Sequence, residues 1–206
     1  MKDEPTAVSQ DVTVNQREVC FKGFYQLDRL KLQHRQFSGE MGPEISRELF
    51  VRPDAVCVLP YDPQRDTVIL VEQFRIGALD KSRHPWLLEV VAGIIDTDET
   101  AQQVARREAV EEAGLTLHEL WPVTSYYPSP GGSDERVQLF VGRCDSEGAG
   151  GVFGLAEEGE DIRVHVWALD AALTAVNDGR IDNAASIITL QWLALNREKV
   201  RSLWLS

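Results

Sequence analysis

Thr100 and Gly114 bracket the segment that most constrains this chain. Thr100 followed by Gln103 forms a capping box, in which side chain and backbone close the first turn of a helix reciprocally. Gly114 stands where a left-handed residue ends a helix. The pattern predicts a helix opened by Thr100 and running through Ala113. Short apolar runs flank it: Ala55 to Tyr61, Thr67 to Phe74 and Trp86 to Ala92 before, then Val123 to Tyr127, Val137 to Val141 and Ile162 to Trp167 after. These lengths and alternations read as strands. Asp62 to Asp66, with Pro63, reads as a turn, so residues 55–75 predict a hairpin. The strand from Trp86 is expected to end at Gly93. Two closing helices, about 169–178 and 183–202, are separated by Asn177-Asp178-Gly179. Strands before, between and after isolated helices predict a mixed α/β sheet with helices packed on it.

The N-terminal part reads differently. Residues 1–15 are polar and predict a frayed start, whereas 18–51 look strand-like around a break at Phe37 to Pro43. Residues 145–160 predict a long Gly-rich acidic loop, longer than a domain usually carries without a use for it. No apolar run approaches the roughly 18–20 residues of a membrane span, and Met1 to Pro5 lacks the apolar core of a signal peptide. Cys20, Cys57 and Cys144 are odd in number and widely spaced, fitting neither a disulfide framework nor a zinc site. A cytoplasmic location, with no membrane partner, is the expectation.

Net charge becomes informative once located. Residues 89–120 hold eight acids against Arg106 and Arg107, and residues 145–161 hold six acids and no base. These two segments account for the whole net charge of −12. Nucleic acid is disfavoured as a partner, because duplex affinity rests on Lys and Arg. Two local acidic clusters point instead to divalent cations. On the predicted helix Glu108 and Glu112 are one turn apart on one face, with Glu111 at their shoulder. Left alone, these carboxylates repel by a few tenths of a kcal/mol per pair. Hard oxygen donors spaced in this way are what Mg²⁺ requires, and magnesium so held can also bind substrate phosphates. Arg107 can pair with a neighbouring carboxylate, and Gly93 permits a sharp exit and close backbone approach.

Gly93, Glu99, Arg107, Glu108, Glu111, Glu112 and Gly114, with apolar Ala109 and Leu115, occupy every fixed position of the Nudix box, GX5EX7REUXEEXGU. The chain thus resembles the Nudix hydrolases. Seven specified residues at ordinary usage coincide on the order of once in 10⁸ starting points, which sets a merely solvated acidic helix aside. The resemblance implies an α/β/α sandwich with a mixed sheet over 52–206, preceded by a small N-terminal β subdomain, 1–51, that makes a homodimer. It also implies metal-dependent cleavage of a nucleoside diphosphate linked to another moiety. Pro130, fifteen residues after Leu115 in Ser129-Pro130-Gly131, matches the branch acting on ADP-ribose. Phe74-Arg75, Trp86 to Glu89, Gly154-Leu155-Ala156, Glu160 to Val166 and Asp182 to Ser186 agree with that branch.

Carried over position by position, the resemblance implies Glu108, Glu112 and the Ala92 carbonyl as metal ligands, with Glu160 reaching a metal from the acidic loop. Glu158 would be the base that activates water, and Glu111 would act with the catalytic set as ligand or supporting partner. Gly159 between acids departs from the family pattern and leaves the division of roles among Glu157, Glu158 and Glu160 open. Phe24 and Tyr25 match where the family stacks adenine, and Arg47, Glu48, Arg75 and Ser129 match its other substrate contacts. About two or three Mg²⁺ ions are implied, with Mn²⁺ as a substitute. The implied reaction is ADP-ribose plus water to AMP and ribose 5-phosphate. Two alternatives are a Nudix enzyme acting on another sugar nucleotide or dinucleotide, GDP-mannose or NADH, and a non-enzymatic ligand sensor on the same fold. The sensor lacks support because the chain shows no basic face for DNA.

Overall fold

A computed structural model describes residues 10–81, 84–95 and 98–205, with the Glu158 side chain outside the described set. The chain divides into two units, one of residues up to 53 with Tyr127–Arg136, the other of 54–126 with residues from 137 onward. The smaller unit is a three-stranded antiparallel sheet of β1 (Val12–Lys22), β2 (Gln26–His34) and β3 (Ile45–Val51). β1 begins earlier than the polar composition of residues 1–15 suggests, because its register with β2 runs from Val12↔His34 and needs no apolar face there. At its centre Asp28 is buried and receives Arg17 Nε at 2.5 Å and Gln26 Nε2 at 2.7 Å. Residues 127–136 join this sheet through the Phe50 N–H, which donates to the Gly132 carbonyl at 2.8 Å. Arg52 completes the attachment, its amide on Asp134 at 2.9 Å and its guanidinium on Glu135 at 3.1 Å.

The larger unit is an eight-stranded mixed sheet: β4 (Ala55–Asp62), β5 (Thr67–Phe74), β6 (Trp86–Glu89), β7 (Val91–Ile94), β8 (Leu120–Tyr126), β9 (Val137–Arg143), β10 (Gly151–Phe153) and β11 (Ile162–Ala168). Among the described strands of this sheet, only β4 and β9 pair in parallel. Strands buried on both faces read as continuous apolar runs, which is why β4 and β5 carry so few polar residues. Their alternation feeds two cores. Val56, Val58, Ile69, Val71 and Phe140 face α1 (Ala101–Ala113), whereas Cys57, Leu59, Tyr61, Val68, Leu70 and Leu139 face α2 (Leu169–Asn177) and α3 (Ala184–Trp204). The result is the α/β/α sandwich expected.

Three local expectations need correction. β4 and β5 pair only at Tyr61↔Val68 and Asp62↔Thr67; beyond that β4 takes β7 and β5 takes β6, so the hairpin opens like a fork. The strand expected over 86–92 is broken at Val90, and Gly93 lies inside β7 opposite Val56 instead of ending it. The acidic segment is no bare loop, since it contains β10 paired with β11 and a 3₁₀ turn at Ala156–Glu158.

Two polar networks fix the fork. Asp62 is buried and accepts from the amides of Gln64, Arg65 and Ser146 and from the Ser146 hydroxyl at 2.8 Å. Arg65 adds a bond to Asp62 at 2.9 Å while also holding Asp145 and Glu147. At the other end Asn183, the N-cap of α3, accepts from the Ser186 amide at 3.1 Å and donates to the Leu88 carbonyl at 2.7 Å. Ser186 Oγ accepts the Val90 N–H at 3.0 Å. The break between β6 and β7 is thus pinned to the start of α3.

Candidate active site

The capping box is formed as the sequence predicts, and Gly114 ends α1 with φ 63. The helix packs on the sheet with Val104, Ala105, Ala109, Glu112 and Ala113 buried. Alanines in this stripe let the helix axis approach β7 closely, and Glu112 shares the stripe as its one carboxylate. Its Oε2 accepts the Ala92 N–H at 3.1 Å. Burial pushes the Glu112 carboxyl up to about 8, with the charges of Glu108 and Glu160 adding to the rise against the Ala92 N–H and Arg75. Glu108, one turn earlier, is raised to about 7, again chiefly by burial, with Glu111 and Glu160 contributing and Arg107 opposing.

Gly93 has a packing reason. A Cβ placed there would lie 2.6 Å from Glu108 Cδ, with Cγ and Oε1 closer still, so only glycine leaves room for this carboxylate against β7. Arg107 clasps the cluster from outside, bonding Glu99 at 3.2 Å and Glu108 and Glu111 at 2.9 Å each. Glu99, whose role the sequence left unassigned, is therefore the remote arm of that clasp. Arg75 donates to Glu89 at 2.6 Å, and burial raises the Glu89 carboxyl while Arg75 opposes the rise. Glu160 folds back, its Oε2 accepting the Leu155 N–H at 3.0 Å. Glu157 is exposed, and the Glu158 side chain lies outside the described residues.

Ala92, Glu108, Glu111 and Glu112 are thus gathered on one face of the larger unit, with Arg75 and Glu160 within electrostatic reach. Among the described residues no three His, Cys, Asp or Glu side chains converge into a ready-made metal cage. Like charges keep the carboxylates on Arg107 and on backbone amides instead. The donors fit a hard divalent cation nonetheless: they are all oxygens, the Glu112 carboxylate is buried and that of Glu108 half-buried, and the Gly93 cradle admits Glu108 to the strand.

The other predicted contacts belong to the smaller unit. Phe24 is 85% exposed and sits edge-on to Tyr25, with ring centroids 4.8 Å apart. Tyr25 packs on Phe50 at 5.0 Å, and the Arg52 guanidinium lies 4.9 Å from the Tyr25 ring. Arg47 is exposed and donates to the Ser46 carbonyl, while Glu48 makes a surface pair with Arg29 at 3.4 Å. The Ser129 carbonyl accepts the Gly132 and Ser133 amides and closes the turn around Pro130.

The box geometry has a match in the comparison with protein families: the NUDIX domain profile covers residues 51–190. The chain belongs to the NUDIX family. Hydrolases of this family generally use divalent metal ions, in keeping with the oxygen donors gathered on α1. This NUDIX chain is 50% identical over 194 residues, 94% of its length and 93% of the relative's, to the ADP-ribose pyrophosphatase of Escherichia coli (strain K12). It is 42% identical over 198 residues, 95% of this chain and 91% of the relative, to the ADP-ribose pyrophosphatase of Haemophilus influenzae. A GDP-mannose pyrophosphatase of Salmonella typhimurium is more distant, at 29% over 188 residues, 90% of this chain and 96% of the relative. Among solved structures, an ADP compounds hydrolase superposes with a TM-score of 0.72 at 18% identity, covering 93% of this chain and 97% of that one. That likeness speaks for the fold.

Asn183 and Ser186, which hold the β6–β7 break and hence the strand carrying Ala92 and Gly93, have no site role in the sequence reading. An Asn ahead of an apolar helical run was the available signal.

Proposed function

We propose that this NUDIX protein hydrolyses the pyrophosphate bond of ADP-ribose, yielding AMP and ribose 5-phosphate, with Mg²⁺ as its metal. The observation that carries the reading is the 50% identity to an ADP-ribose pyrophosphatase across 94% of the chain, in a molecule whose α1 carboxylate cluster is complete. Glu108, Glu112, Glu160 and the Ala92 carbonyl would hold the metal, with Glu111 beside them. When bound, magnesium supplies positive charge that neutralises the phosphates and lowers the pKa of coordinated water. Arg75 offers a planar guanidinium suited to phosphate oxygens. Glu158 would accept a proton from the attacking water as its oxygen bonds to one phosphorus; the bond from that phosphorus to the bridging oxygen breaks, leaving one phosphate on AMP and one on ribose 5-phosphate. Phe24 and Tyr25 offer an exposed aromatic edge for adenine, and Arg47, Glu48 and Ser129 serve as further substrate contacts.

We also propose that the protein is a cytoplasmic homodimer joined through its N-terminal β unit, residues 1–51. Supporting this, β1 is exposed along most of its length and Val19, Phe21 and Phe37 are open to solvent. Among the described residues no helix is long and apolar enough to cross a membrane. Light scattering on the purified chain reads the dimer directly. The substrate is tested by kcat/KM with Mg²⁺ for ADP-ribose, GDP-mannose, NADH and a deoxynucleoside triphosphate. A preference for any of the last three overturns the reading.

A further inference from the structure

Phe153, the last residue of β10, is half-buried and packs against the core beneath α1. A Cβ added to Gly114 would lie 2.6 Å from Phe153 Cε1 and 2.8 Å from Cζ, well inside the distance at which carbon atoms attract. Gly114 therefore does two things. Its φ of 63 turns the chain off the helix, and its bare face is the seat on which the Phe153 ring rests.

The next two residues extend the attachment. Gly154 has φ +105, a conformation open in practice to glycine alone, and its N–H reaches the Glu111 carbonyl at 3.3 Å. A Cβ at Gly154 would lie 2.6 Å from the Cβ of Glu160. Glu160 in turn accepts the Leu155 N–H at 3.0 Å. Ring on glycine and amide on helix carbonyl tie the acidic segment to the end of α1 at two successive residues, and carboxylate on amide then folds Glu160 back onto the third.

β10 is held to the sheet by its pairing with β11, and Phe153 is its side chain packed against the α1 core. Gly151 and Val152, the rest of β10, are exposed, and the 3₁₀ turn at Ala156–Glu158 ends at Gly159, around which there is open space. We propose that Phe153 is a positioning residue: seated on Gly114, it sets the register of the acidic segment on α1 and thereby the place of Glu160, without touching substrate. The kinetic part of this inference rests on the hydrolase reading; the seating itself does not.

The test uses the full-length chain with Phe153→Ala and Phe153→Leu. Hydrogen exchange should quicken at the Gly154 and Leu155 amides of Phe153→Ala while α1 stays protected. Mn²⁺ affinity, measured without substrate, should fall about 10-fold, as when a group behind a metal ligand is lost. With ADP-ribose and Mg²⁺, kcat should drop on the order of 10²-fold while KM stays within about threefold, the mark of misplacement and not of lost binding. Phe153→Leu, which keeps apolar bulk on Gly114, should recover most of all three, and it carries the comparison if Phe153→Ala does not fold. Wild-type exchange and Mn²⁺ affinity in Phe153→Ala, or a loss of kcat that Leu fails to recover while folding normally, overturns the proposal. If the wild-type chain does not cleave ADP-ribose, the substrate reading fails, and exchange with Mn²⁺ affinity still decides the role of Phe153.

Discussion

Glu108 fills the space that a side chain at position 93 would need, its Cδ lying 2.6 Å from where a Cβ would be. Two residues of one motif, on a strand and a helix, are thereby fixed by one contact. Gly93→Ala should push Glu108 off β7, lower Mn²⁺ affinity about 10- to 100-fold and destabilise the fold by about 1–3 kcal/mol through overpacking. Calorimetric metal titration and thermal unfolding read both effects; unchanged affinity would refute the cradle.

Glu112→Gln keeps the shape and the acceptor for the Ala92 N–H but removes a buried charge. Turnover should fall by at least about 10²-fold, on the scale of lost electrostatic stabilisation at a reacting centre. Above about pH 8, where the metal-free wild-type Glu112 carboxyl is ionised, the variant should melt higher than wild type, by about 2–4 °C for each kcal/mol of relieved repulsion. Near-normal turnover at limiting Mg²⁺ would mean that Glu112 holds no metal.

Asp62 sets an acid limit on stability. Burial alone would raise its carboxyl, but the amides of Ser146 and Arg65, the Ser146 hydroxyl and the Arg65 guanidinium hold it well below the usual carboxylate range. Because the folded value lies below the unfolded one, the contribution is complete above about pH 5 and fades as pH falls further. Asp62→Asn should cost about 3–5 kcal/mol at pH 7, the scale for breaking a buried ionic network, and show a flatter loss between pH 4 and pH 2. Urea unfolding across that range gives both; parallel curves for wild type and variant would contradict it.

Asn183→Ala removes the α3 cap and the bond to the Leu88 carbonyl together. A loss of about 1–3 kcal/mol in stability is expected, from the cap and from the half-buried Leu88 carbonyl that loses its side-chain partner. Because β6 and β7 carry Glu89, Ala92 and Gly93, kcat should fall several-fold as well, whereas Asn183→Asp, which caps without donating, should restore the cap alone. Equal kcat for all three proteins would show that the pin is structural only.

Most of the larger unit was legible because its strands and helices declare themselves locally. Alternation in β11, the cap at Thr100 and the glycine at 114 each depend on neighbours within a few residues. The fork between β4 and β5 was not legible, since Thr67-Val68 and Val71-Glu72 look alike in sequence but pair with different strands. Gly93 reads in sequence as the end of a strand that permits close backbone approach, whereas it lies inside β7 and what approaches it is a side chain fifteen residues away on α1. The box named the carboxylates of the helix, but it contains nothing about Phe153, whose meaning arises only when β10 meets Gly114.

Residues 127–136 belong with β1, β2 and β3, yet they follow α1 and β8 in the chain. Protein synthesis runs in one direction. A ribosome adding about 5–20 residues per second makes β3 several seconds before it reaches the partner of the Phe50 amide. During that interval the nascent N-terminal sheet lacks its closing segment, while β4 through α1 are already being made. The smaller unit, first to be translated, is thus completed only after the helix that bears the carboxylates.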